Sequence, residues 1–239
     1  VILAAFLFPL PFTAIALNGG LGNAGVYDKL FQAIVGYGQI LMLPMVLGII
    51  ATLLFFMERD HNTLKNLRTI PIGPIQMVTA KLFVLFALGF VFSAASTGSS
   101  ILGGMLVGGI NDVFHKFVIG SLTGVLLTAG TLPVIIAIVF LNRSYIISII
   151  LSLFYSVINF AMIIIGLPSH TSAMQLLTSI LPSPIIYRWH MNLFISPSDA
   201  YYTNFAAKML PLHLVVFNIA ILAVLSYIAI VLIYRKREV

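Results

Sequence analysis

Five histidines, six carboxylates and a cluster of serines are the side chains of this 239-residue sequence with the means to do chemistry; cysteine is absent. Without cysteine there is no disulfide framework, no thiol nucleophile and no thiolate zinc site. His170, His190 and His213 fall in one region, but their spacings of 20 and 23 residues match no local zinc-ligand pattern. They read as surface or interface histidines. Ser99 or Ser100 with His213 would supply nucleophile and base for an intramembrane hydrolase, yet no motif fixes the pair. The run Asn18-Gly-Gly-Leu-Gly-Asn-Ala-Gly25 lacks the strand–helix context of a phosphate cradle and reads as a flexible turn. No lysine follows a glycine, so the chain has no Gly-Lys-Ser/Thr phosphate loop.

Composition says what must position these groups. The chain is 61% hydrophobic and 8% charged, where soluble domains carry about 25% charged residues. Twelve basic and six acidic side chains cannot cover a soluble surface. This excludes a soluble enzyme, a nucleic-acid-binding domain and a disordered chain, so the net charge of +6 does not imply nucleic acid. The class is an all-α polytopic membrane protein. Continuous apolar runs place six spans at 1–17, 36–57, 82–107, 117–141, 144–166 and 212–234. They form one transmembrane domain over 1–239 without internal repeat. Val1 stands inside an apolar run with no basic start, so the first span is expected to begin upstream. Pro133 should kink the fourth span.

If both termini are cytoplasmic, the inner segments carry Arg59, Lys65, Arg68, Lys81, Arg143, Arg235, Lys236 and Arg237. The longer outer segments carry only Lys29, Lys116, Arg188 and Lys208. This bias sets the orientation. As drawn, no span has an ionisable residue at its centre, which argues against ion-coupled transport and di-aspartyl proteolysis. Energy for any transport must come from elsewhere.

The longest inner segment runs from Glu58 to Lys81. Asp60 or Asn62 can cap a short helix there, and Pro71 ends it. Leu64, Leu67 and Ile70 form an apolar stripe, with Lys65 and Arg68 on another face. Glu58, Thr63-Leu64-Lys65, Leu67, Pro71-Ile72 and Lys81 resemble a cytoplasmic signature of permease subunits of type-2 ABC exporters. Asn62 stands where that pattern has Gly, Arg68 where a second apolar residue is common, and Gly73 where it has Ser. The compact, charge-poor layout is most similar to bacitracin-resistance and lantibiotic-immunity exporters.

The resemblance implies that Glu58, Asn62, Thr63, Leu64, Lys65, Leu67, Arg68 and Ile70 form an ATPase-coupling element, with 62–70 as a coupling helix. It implies ABC ATPase partner chains that hold ATP and Mg, a second permease chain (homodimer or heterodimer), and a bacterial plasma membrane. This chain would be a transport subunit with no cofactor of its own. A membrane sensor or scaffold that does not transport remains the alternative, with the hydrolase behind it.

Ser96, Ser99 and Ser100 in the third span, with Asn159 and Asn218 in the fifth and sixth, are candidates for a substrate path. Close packing is the competing use for the small residues, including Gly103, Gly104 and Gly108, and interhelical hydrogen bonding is the competing use for the amides. In the outer segment 167–211, Thr171–Leu181 reads as a short helix capped by Thr171 and stopped by Pro182. Asp199–Leu210 reads as a second, with Ser198 as cap and Pro211 as stop. Tyr187, Trp189, Phe194, Tyr201, Tyr202 and Phe205 suit the membrane interface, and the resemblance implies that the two short helices are interfacial or re-entrant helices before the sixth span, a reading compatible with an aromatic anchor. A reporter fused after Val239 should be active in the cytoplasm; activity only outside the cell would reverse the topology.

Overall fold

The computed structural model describes residues 2–18, 26–60, 73–107, 109–141, 144–195, 197 and 202–238. Every regular element among them is helical. In chain order these are α1 (Ile2–Leu7), α2 (Pro9–Asn18), α3 (Val26–Ala33), a π-helical stretch (Ile34–Met42) that runs into α4 (Leu43–Asp60), α5 (Pro74–Val107) and α6 (Val113–Leu141). Then follow α7 (Tyr145–Ala161) with π turns at Met162–Gly166, α8 (Ser172–Ile180), α9 (Pro182–Phe194), α10 (Tyr202–Phe205) with a 3-10 turn at Ala206–Lys208, and α11 (Leu212–Glu238). Five helices are long and apolar enough to cross a membrane: Val26–Met57, Pro74–Val107, Val113–Leu141, Tyr145–Gly166 and Leu212–Lys236.

α6 is the centre, packed against α4, α5, α7, α9 and α11. Its contact with α5 is built from small residues in antiparallel register. A Cβ on Gly120 would stand 2.2 Å from Thr97 Oγ1; one on Gly124, 2.1 Å from Ser93 Oγ; and one on Gly89, 1.9 Å from Thr128 Oγ1. Each step is four residues, one turn of helix, and at each step a glycine on one helix receives a hydroxyl side chain from the other. Two of those hydroxyls are satisfied within their own helices, Thr97 Oγ1 by Ser93 O (2.8 Å) and Thr128 Oγ1 by Gly124 O (2.7 Å), while Ser93 Oγ is buried with no hydrogen-bond partner among the described residues. The α4–α7 contact repeats the device, with Gly48 against Ser152.

Proline explains the irregular backbone. Pro133 has no N–H and crowds the preceding turn of α6; the Gly130 carbonyl in that turn accepts from Tyr155 Oη of α7 at 2.5 Å. Pro44 follows the π-helical stretch, where the Leu41 carbonyl accepts from Ser156 Oγ. The wide π turns carry Gln39 into the interior. There its Nε2 donates to Ser96 Oγ and Thr97 Oγ1 of α5, both at 3.2 Å.

Several boundaries differ from the sequence reading. The second span starts at Val26 rather than 36, because Val26, Tyr27, Leu30 and Phe31 form a buried stripe. The third starts at Pro74 rather than 82. Gly73 and Pro74 open it, and Gln76 Oε1 accepts from the Gly73 N–H at 3.2 Å, half of a capping box with proline at the first helical position. Lys81 therefore lies in the second turn of α5. Residues 1–17 yield two short helices, with the second beginning at Pro9. Thr171 precedes α8, but its hydroxyl pairs with Ser169 (2.9 Å) instead of capping the helix. Pro182 does not only stop α8; it starts α9, a buried helix that the sequence reading took for aromatic anchor. The expected Asp199–Leu210 helix is reduced to α10 and its 3-10 turn, and residues 198–201 lie outside the described residues.

Gly124→Ala should lower stability by about 1–3 kcal/mol through overpacking, since its Cβ also meets the Gly89 carbonyl at 2.9 Å. Gly98→Ala, with nothing within 4 Å, should be neutral or stabilise by up to about 1 kcal/mol. Thermal unfolding of the two variants in one detergent checks the contrast.

Candidate functional site

The expected coupling residues Asn62, Thr63, Leu64, Lys65, Leu67, Arg68 and Ile70 lie outside the described residues. Glu58 falls in the last turn of α4, and its side chain is likewise outside them. The two stems of this joint are described. On the α4 stem, Phe56 packs on Tyr145 at the start of α7, with ring centroids 4.6 Å apart, and Phe55 meets Tyr234 near the end of α11 at 6.3 Å. On the α5 stem, Lys81 Nζ lies 4.6 Å from the centroid of Phe55 and 5.2 Å from that of Tyr234, so a cation faces two aromatic rings. Thr79 Oγ1 and Tyr227 Oη are 2.8 Å apart. The ends of α4, α5, α7 and α11 thus form an aromatic collar around both roots of the 61–72 segment.

The five path candidates divide. Ser96 Oγ donates to Ser93 O at 3.0 Å while accepting from Gln39. Ser99 Oγ donates to Phe6 O at 2.6 Å and fastens α1 to α5. Ser100 Oγ donates to Thr97 O at 2.6 Å. Asn159 is fully buried; it donates to Tyr155 O (3.0 Å), and its Oδ1 accepts from the Ser183 N–H at 3.2 Å. That N–H is one of the orphan donors at the start of α9. The preceding Leu181 has no capping side chain, so Asn159 caps α9 from another helix. Asn218, expected to bond between helices, is exposed and donates to Leu214 O of its own helix at 2.8 Å. Within one chain, Ser96, Ser99 and Asn159 hold helices together, while Ser100 bonds within its own helix.

The other end of the bundle carries a polar cluster that the sequence reading missed. Lys116 Nζ is 2.5 Å from Asp28 Oδ1, contacts Asn111 Oδ1 and sits 4.0 Å from the centroid of Tyr27. Asn111 Nδ2 also donates to Asp28 Oδ2 at 3.2 Å. The turn is set by Asp112 at φ 45°, a left-handed conformation that Asp tolerates. The cluster ties α3 to the start of α6. Nearby, Arg188 Nε donates to Lys208 O (2.5 Å) and Lys208 Nζ donates to Leu167 O, so α9, the 3-10 turn and the end of the π turns are laced together. Beforehand Lys116, Arg188 and Lys208 were visible only as outer cations, without their partners.

His190 corrects the surface reading of the histidines: it is 1% exposed. α9 has 13 residues, about 20 Å, too short to cross. Its Pro182, Ile185, Ile186 and Trp189 pack into the bundle, which drags His190 inward. Trp189 is therefore core, not an interface anchor. Among the described residues no group of three His, Asp or Glu could hold a metal ion.

The family described as ABC-2 family transporter protein matches residues 1–159. No curated protein matches the chain.

Burial pushes the His190 pKa down to about 3, because the imidazolium would lose its hydration. The unfolded chain, with an ordinary value near 6.5, binds this proton first on acidification. The stability tied to a neutral His190 is thus fully present above pH ~6.5 and drains as pH falls toward ~3. Denaturation followed from pH 8 to pH 4 should show this loss, and His190→Gln should lack that share of it.

Proposed function

The chain belongs to the ABC-2 transporter family and is the membrane permease subunit of an ABC transporter; from this premise we propose that it exports apolar or amphipathic substrates, powered by a separate ATPase. Two permease chains would enclose the route in a bacterial plasma membrane, both termini cytoplasmic. Two ATPase chains, holding ATP and Mg, would drive it. Antimicrobial peptides are the substrate class favoured by the resemblance to bacitracin-resistance and lantibiotic-immunity exporters.

The observation that supports the coupling role is the collar. In this reading the stripe of Leu64, Leu67 and Ile70 seats in a groove of the ATPase, with Glu58, Asn62, Thr63, Lys65 and Arg68 around it. A push on that segment reaches α4 through Phe55 and Phe56, and α5 through Lys81. From there it passes to α7 through Tyr145 and to α11 through Tyr234. A displacement at one loop then reorients four spans together. Such a device is a two-state element biased by nucleotide on the partner.

The uncharged lining supports a substrate without charge at this point. The interior between α5, α6 and the π-helical stretch is hydroxyl and amide, from Gln39, Ser93, Ser96, Thr97 and Thr123, and suits polar-neutral contact. Opening the α5–α6 seam would expose these groups, with Ser96, Ser99, Ser100 and Asn159 among them. Asn218 on exposed α11 would face the second permease or the substrate.

Leu64→Asp or Leu67→Asp should abolish co-purification of the ATPase in mild detergent while leaving the permease folded. Full ATPase retention with unimpaired export would sink the coupling assignment. A wild-type chain that purifies with a sensor kinase and no ATPase would return the sensor reading.

A further inference from the structure

α3 is eight residues long, about 12 Å, and it rests on bare backbone of α5. A Cβ on Gly103 would stand 3.1 Å from Leu30 Cδ2, and one on Gly104 2.6 Å from Tyr27 Cδ2. One turn before Gly104, Ser100 is fully buried and lies within electrostatic reach of the Tyr27 hydroxyl. Ser100 gives its own hydrogen to Thr97 O at 2.6 Å. The Tyr27 hydroxyl is buried with no well-formed hydrogen bond among the described residues. Such a group is costly away from water, so the seat of α3 carries a term that opening would relieve.

At its far end α3 runs into the π-helical stretch Ile34–Met42. Wide π turns are less regularly bonded than an α-helix and mark sites of function. Gly36 lies in this stretch, with open space where its Cβ would stand, so the backbone there has room to turn.

The opposing term is the ion pair. Among the described residues, the polar side-chain ties from α3 to other elements converge on Asp28, in its first turn. Lys116 Nζ has three acceptors, Asp28 Oδ1 at 2.5 Å, Asn111 O at 3.3 Å and Asn111 Oδ1. It also lies 4.0 Å from the centroid of Tyr27. The lysine side chain is 7% exposed and the aspartate 41%. A nearly buried cation on the central helix α6 thus holds both the carboxylate of α3 and the ring beside Ser100. Phe31 adds only an apolar edge contact to Phe194, with centroids 5.8 Å apart.

We propose that α3 is a hinged flap. The Asp28–Lys116 pair latches it shut over Ser100, and release of that pair swings it about the π-helical stretch and admits water to the bundle interior, at the end away from the aromatic collar. As a gate for export the flap rests on the function proposed above; the latch itself belongs to this chain and needs no ATPase.

The chain has no cysteine, so Ser100→Cys introduces a single thiol. Its labelling by a charged, water-soluble methanethiosulfonate, with the protein in lipid nanodiscs, reads the flap. Ser148→Cys on α7, equally buried but near the collar, reads general loosening. With the pair intact both thiols should label slowly. Lys116→Met removes the buried charge and leaves Asp28 to water. It should speed labelling at position 100 at least about tenfold, the worth of one charge-assisted hydrogen bond, with position 148 unchanged. Asp28→Asn should act in the same direction, although it strands a buried cation and costs more stability. Unchanged labelling at position 100 in Lys116→Met, a parallel rise at position 148, or rapid labelling of position 100 with the pair intact would each overturn the latch. The expected rise in a chain that neither binds an ATPase nor exports would keep the latch and refute the export reading alone.

Discussion

Helices surrounded by lipid gain nothing by hiding apolar surface from one another, so the α5–α6 contact has to be made by close approach. The chain achieves it with three glycine–hydroxyl pairs, Gly120 with Thr97, Gly124 with Ser93 and Thr128 with Gly89. Each glycine removes the Cβ that would hold the backbones apart, and the facing hydroxyls of Thr97 and Thr128 are already bonded within their helices. The rest of the bundle is registered against this seam. With α6 fixed at the centre, Thr123 meets His190 of α9, Gly130 meets both Tyr155 of α7 and Pro182 of α9, and one stripe of α11 (Val215, Ile219, Ser226, Ile230) is buried.

A membrane interior also forbids loose backbone groups, and here side chains from a neighbouring helix bond backbone groups close to two prolines and at a helix end. Tyr155 bonds the Gly130 carbonyl in the turn before Pro133, Ser156 the Leu41 carbonyl before Pro44, and Asn159 the start of α9. All three lie on α7 within five residues. That helix is a polar strut as much as a span, with Ser148, Ser152, Ser156 and Asn159 inside and Ile146, Ile150, Phe154 and Val157 outside.

The charges complete the picture. Lys81 sits in the aromatic collar at one end, and Lys116 with Asp28 at the other. Between them the described interior is neutral, because His190 is held uncharged by burial. The two ends are thus each tied by a cation, across a body whose helices meet through small residues.

Much of this was legible in the sequence. The scarcity of charge required a membrane, the unbroken apolar runs required helices, and the basic residues clustered beside one joint, where the Glu58–Lys81 pattern carried the family. Those properties are local or additive, so one dimension suffices. Pro74 with Gln76 was a readable helix start that the apolar run beginning at 82 concealed. What only the tertiary structure decided is pairing. Ser96, Ser99 and Ser100 looked like a path because hydroxyls in a span are rare, but whether a hydroxyl faces a channel or a partner such as Gln39 or the Phe6 carbonyl depends on the neighbouring helix. Asn159 and Asn218 are the same residue type in similar runs, yet one caps a distant helix and the other lies exposed on α11. His190 looked superficial because its segment is short and interrupted by proline. It is buried because Asn159 and Gly130, far away in the chain, accept the start of α9, and only folding brings those three together.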